Sequence, residues 1–144
     1  MRLLAPKSVR RLLRQQDGAA AVEFGLVAAP FLALVFAIME SAIVFFAGQL
    51  GVDKTGAFVG EFKAQTVQAF ENLNEALEAV GANFGHLVKI NNYLVDIERN
   101  MLAFREVRDR YLVAPPPAST TIGVPALARP GGLFEIEAVA ALES

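Results

Sequence analysis

Few residues in this chain have chemistry to offer. Glu135 and Glu137 stand two apart in an alternating run, Leu133–Ala140, which reads as a strand, so both carboxylates project from one face of a sheet. Phe134, Ile136, Ala138 and Ala140 share the opposite face. A preceding run, Ser119–Val124, alternates as well: Thr120, Ile122 and Val124 point one way, Ser119, Thr121 and Gly123 the other. One face of such a sheet packs on helices. The other meets water, a partner subunit or a ligand. The single histidine, His86, has no acidic or nucleophilic neighbour in sequence and reads as a loop or strand-edge residue. With no cysteine, thiolate chemistry and disulfides are excluded, and one histidine argues against zinc. No Ser-His-Asp arrangement, phosphate-binding loop or metal spacing occurs, so no cofactor is expected.

The elements that must position these residues are legible from residue 42 onward. Gly51–Gly60 reads as a hairpin-like loop with Lys54, Thr55 and Gly56 at its tip. Phe62–Val80 is amphipathic, with Val67, Phe70, Leu73, Leu77 and Val80 on one stripe and Gly81 as its stop. Leu87–Val95 reads as a strand. Asp96 is expected to cap a helix over Ile97–Tyr111 through its side-chain oxygen. The stripe of that helix is Ile97, Met101, Phe104, Val107 and Tyr111. Pro115–Pro117 ends it and launches the last strand pair. The order strand, helix, strand, helix, strand, strand implies an α+β layer, a mixed sheet with two helices on one face.

The first 41 residues differ in character. Residues 1–17 form a basic flank, with Arg2, Lys7, Arg10, Arg11 and Arg14 set against Asp17. The net charge of the whole chain is −2, so the body is acidic and argues against nucleic-acid binding. Ala19–Met39 holds one charge, Glu23, and has Pro30 in its middle. As a helix of about 31 Å it matches a bilayer core of roughly 30 Å. The reading is a basic flank (1–17), an apolar transmembrane helix (18–41) and an α+β domain (42–144). The flank places the N-terminus in the cytoplasm and makes the chain a single-pass membrane protein. A signal peptide or a buried core helix is the alternative, with a cytoplasmic protein following from the latter.

Two resemblances attach to these segments. AGQLGVDKTGAFVGEFKAQTVQAF, NLNEALEAVGANFGHLVKINNYLVDIERNMLAFREVRDRYL and PPPASTTIGVPALARPGGLFEIEAVA resemble, in order, the Rid family of reactive intermediate (enamine/imine) deaminases. This resemblance covers about residues 46–142. It implies a chorismate-mutase-like fold with its N-terminal strand missing, a homotrimer, and pockets for a small imine, enamine or related metabolite at subunit clefts. It also implies that an Arg in a Pro-Ala-Arg segment holds the substrate carboxylate, and Ser119 occupies that position here. A family Glu that orients the attacking water aligns with Glu137. Ser119, Arg105 and Gly48 are the substrate-binding positions to test.

LLRQQDGAAAVEFGLVAAPFLALVFAIMESAIVFFA, about residues 10–46, is similar to the N-terminus of TadE-like pilin components. That similarity implies peptidase cleavage after Gly18, with Glu23 at the fifth mature position. Three functions stay open at this point. One is a membrane-tethered metabolite-binding domain with weak imine or enamine hydrolase activity, weak because Ser119 lacks a charge. Another is a pilin or envelope assembly subunit with a non-catalytic head. The third is a chain joined from two pieces.

Overall fold

The computed structural model describes residues 22–36 and 42–142, which fall into two units, Met1–Ser41 and Ala42–Ser144. In the first unit a helix, α1, spans 22–36 and exposes most of its side chains, Glu23 among them. At 1.5 Å per residue its described residues span about 22 Å, against the roughly 30 Å hydrocarbon core of a bilayer. Among the described residues no helix is long and apolar enough to cross a membrane. This overturns the expected transmembrane helix over 18–41 and, with it, the single-pass membrane placement. The expectation rested on apolar composition over 21 residues, which sets an upper bound on span length but does not establish one continuous helix. Gly18 lies outside the described residues.

The second unit is built as its periodicities require. Its strands are β1 (Ala42–Leu50), β2 (Leu87–Val95), β3 (Ala118–Val124) and β4 (Phe134–Leu142). Its helices are α2 (Phe62–Ala79) and α3 (Ile97–Tyr111). Ile43–Phe46, at the end of the apolar stretch, is strand. The sheet order is β1-β4-β2-β3, with β2 and β3 parallel and the other pairs antiparallel, so the expected mixed sheet is present.

Both helices lie on one face of this sheet. Phe70, Leu73 and Leu77 of α2 and Phe104 and Val107 of α3 are buried against Ile90, Leu94, Phe134, Ile136 and Ala140. At the centre Phe70 stacks on Tyr111 at 4.9 Å and on Phe134 at 5.9 Å between ring centroids. Asn72 ties α2 to the end of β1 by donating to the Leu50 and Val52 carbonyls. Gln65 ties it to the β3–β4 turn, donating to the Gly131 carbonyl and accepting from the Leu133 N–H.

The helix ends differ in how they are closed. Gly81, at φ 76°, stops α2. The Gly81 N–H bonds to the Glu78 carbonyl and the Ala82 N–H to the Leu77 carbonyl, the paired bonds of a left-handed glycine cap. Asp96 precedes α3 as expected but does not cap it with its side chain. Its backbone is itself left-handed, at φ 50°, and its carbonyl receives the Arg99 and Asn100 N–H groups.

Tyr111 provides a pH test of this packing. Burial, then a hydrogen bond from its hydroxyl to Glu71 Oε1 (2.5 Å), push its pKa up to about 12. The folded state therefore holds a proton that the unfolded chain releases near pH 10. The contribution is complete below pH 10 and falls away as pH rises toward 12. Urea midpoints between pH 9 and 12 are expected to drop less steeply in Tyr111→Phe than in the wild type.

Candidate functional site

The face of the sheet turned away from α2 and α3 has no cover among the described residues of this unit. Strand alternation sends Glu135, Glu137 and Val139 of β4 there, with Lys89, Asn91 and Tyr93 of β2 and Ile43 and Phe45 of β1. Phe45 is 78% exposed on this open face. A cavity of about 440 Å³ opens on it, walled by Phe45, Phe46 and Val139 and furnished with Lys89, Asn91 and Glu137.

The two carboxylates have different surroundings. Glu137 Oε2 accepts from the Tyr93 hydroxyl at 3.0 Å and from Asn91 Nδ2 at 3.3 Å. That bond to Glu137 is the main cause holding the Tyr93 hydroxyl above its ordinary pKa. Burial, then the charge of Glu137, raises the Glu135 carboxyl above the ordinary carboxylate range. Glu135 lies over Gly48, where β1 and β4 change register between Phe46 and Gln49. A Cβ at Gly48 would stand 1.7 Å from Glu135 Oε1, so the absence of a side chain is what admits the carboxyl. Gly48→Ala is expected to push that carboxyl aside while leaving the melting temperature within a few degrees of wild type. The obstructed atoms belong to the end of a flexible side chain and the backbone need not move. Thermal melts beside activity assays check this.

Ser119 and Glu137 do not meet within one chain. Ser119 pairs with Ile90 across the parallel β2–β3 ladder and so faces the helices. Its Oγ accepts from Asn92 Nδ2 at 3.2 Å. It lines a separate cavity of about 390 Å³ with Arg108, Leu112, Val113 and Pro117. Thr120 is the β3 hydroxyl on the face of Glu137, one strand beyond Asn91. Arg105 is exposed on α3, one turn before Arg108. Of the positions singled out from sequence, Gly48 and Glu137 lie on the open face, and Ser119 and Arg105 lie elsewhere. Sequence reading passed over Lys89, Asn91 and Tyr93 as site residues and read Glu135 only as a polar sheet residue. The signal was available, since the same two-residue period places the three β2 residues on the side of the β4 carboxylates.

Comparison with known proteins fits this arrangement. The family model described as endoribonuclease L-PSP matches residues 27–142. Protein mmf2, mitochondrial, of Schizosaccharomyces pombe is 40% identical over 108 residues, covering 73% of this chain and 84% of that protein. The 2-iminobutanoate/2-iminopropanoate deaminase of Capra hircus is 35% identical over 106 residues, covering 72% and 76%. The crystal structure of RidA from Psychrobacter sp. PAMC 21119 superposes with a TM-score of 0.66 at 34% identity, covering 72% of this chain and 86% of that one. The chain belongs to the Rid/L-PSP family. The family match begins at residue 27, inside the stretch expected to be TadE-like, and no finding supports that expectation or a membrane tether.

Proposed function

We propose that this protein hydrolyses the imine of a small 2-imino acid, or its enamine tautomer, on the open face of the sheet. The observation that carries the reading is the carboxylate pair. Glu137 is fixed by two donors, and Glu135 is raised toward neutrality beside it. A carboxylate held by two donors beside a carboxyl raised by burial divides the pair into a fixed group and a proton carrier. A relative named as a 2-iminobutanoate/2-iminopropanoate deaminase supports the same substrate class.

In this reading the Glu135 carboxylate takes a proton from water as the water oxygen bonds to the imine carbon, and returns it to nitrogen. The tetrahedral adduct then passes its hydroxyl proton through the same carboxyl to nitrogen. The C–N bond breaks, leaving a 2-oxo acid and ammonia. The two protons gained by nitrogen are the two lost by water, so no oxidant or cofactor is needed. Burial, then the charge of Glu137 held by Tyr93 and Asn91, raises the Glu135 carboxyl above the ordinary carboxylate range and so strengthens it as a base.

A homotrimer is part of the proposal. The open face carries Ile43 and Phe45 in the exposed state, and association of three chains would cover it and complete the cleft. Turnover is tested by generating the imine of alanine or 2-aminobutyrate in situ and measuring 2-oxo acid release above the spontaneous rate. Equal rates with and without protein at any concentration would overturn the reading. Light scattering is expected to give a particle of three chains.

A further inference from the structure

We infer that Lys89 receives the carboxylate of the 2-imino acid, an assignment that rests on the reading just given. The substrate is an anion and the face it must approach carries Glu135 and Glu137, so a cation is required there. The four strands contain one, Lys89. It lines the same cavity as Glu137 and Asn91.

Register places it beside Glu137 on the open face. Lys89 pairs with Val139 and Asn91 with Glu137, so Lys89 and Glu137 are diagonal neighbours, roughly 7–8 Å apart across antiparallel strands. Despite that nearness Lys89 is not spent on Glu137. The ion pairs among the described residues are Lys63–Glu106, Arg108–Asp109 and Arg110–Glu106. Glu137 Oε2 is already satisfied by Tyr93 and Asn91. The ammonium thus has the reach of a four-carbon stem, a cavity in front of it and an anion still to find.

Position 119 serves this purpose poorly. Its hydroxyl is uncharged and it faces the helices, on the other side of the sheet from Glu137. Charge recognition is therefore carried by β2 rather than by the start of β3. The prediction is specific: dependence on Lys89 belongs to substrates that bear a carboxylate, and the amide analogue of the same imine does not share it.

The test compares wild type with Lys89→Gln and Lys89→Arg, both substitutions at an exposed position. Steady-state turnover of the in situ imino acid and of its amide is measured, and 2-oxobutanoate is titrated by NMR as a direct binding probe. Lys89→Gln is expected to raise KM for the imino acid roughly 10- to 100-fold, the size of a lost hydrogen bond to a charged group. kcat should change little, the amide should be unaffected, and 2-oxobutanoate binding should weaken in parallel. Lys89→Arg should restore most of the affinity. An unchanged KM in Lys89→Gln, with wild type active, would overturn the assignment and leave the hydrolysis intact. Absence of wild-type turnover would sink the hydrolytic reading instead. In that event the titration decides: weaker 2-oxobutanoate binding in Lys89→Gln supports the carboxylate site, and equal or absent binding overturns it.

Discussion

Glu135→Gln is expected to lower imine hydrolysis by about 10²- to 10⁴-fold, the usual span for loss of a general acid–base group. The amide keeps the shape of the side chain and its place over Gly48, so the folded protein should retain its stability and its affinity for 2-oxobutanoate. In the proposed mechanism what it loses is the ability to take a proton from water and return it to nitrogen. The pH profile carries the sharper information. As a base, Glu135 must be ionised, so the rate rises with pH through its pKa. Burial and the neighbouring Glu137 charge place that rise above the ordinary carboxylate range.

Glu137→Gln removes the negative charge but leaves Glu135 buried. The rise is therefore expected to move toward lower pH, with part of the activity kept. A profile that does not move in Glu137→Gln, or a Glu135→Gln variant of wild-type rate, would show that the proton is handled elsewhere. Since Glu135 is raised by burial in the folded state, its contribution to stability also has a sign. The protonated form is favoured on folding, and that contribution fades as pH rises through the folded-state pKa.

Phe70→Ala carries the largest expected effect on stability, a loss of about 3–5 kcal/mol. Phe70 is fully buried. Its ring stacks on Tyr111 from α3 and on Phe134 from β4, and stands 6.2 Å from Phe84. Truncation thus opens a cavity where both helices and the sheet converge. Phe134 also begins the strand that carries Glu135 and Glu137. Loss of packing there should loosen the site as well, so activity is expected to fail at a lower temperature in the variant than in wild type. Phe45→Ala is the contrasting change. Phe45 is mostly exposed in the single chain, so the core packing should hardly change, and the loss should fall on the apolar wall of the cavity and on association through the open face. Denaturant midpoints for the two variants measure the difference.

By itself the sequence determined the local elements and the sides of the strands. α2 and α3 lie within a residue of the ranges read from their 3.6-residue stripes, and β2 matches its alternating run. The shared face of Glu135 and Glu137 followed from the two-residue period alone. These are properties of near neighbours, and backbone geometry dictates them before any distant contact forms.

The order β1-β4-β2-β3, the placing of Ser119 behind the sheet and the seating of Glu135 over Gly48 were decided by tertiary structure. Each depends on which strands pair and in what register, and a shift of one residue turns a side chain to the other face. The register change after Phe46 is such a shift. It is invisible in Ala42–Leu50 read alone, yet it aligns Gly48 with the Glu135 carboxyl. The difference between the two carboxylates likewise depends on partners distant in sequence. Tyr93 and Asn91 lie more than forty residues from Glu137, and only the closed sheet brings them to its oxygen.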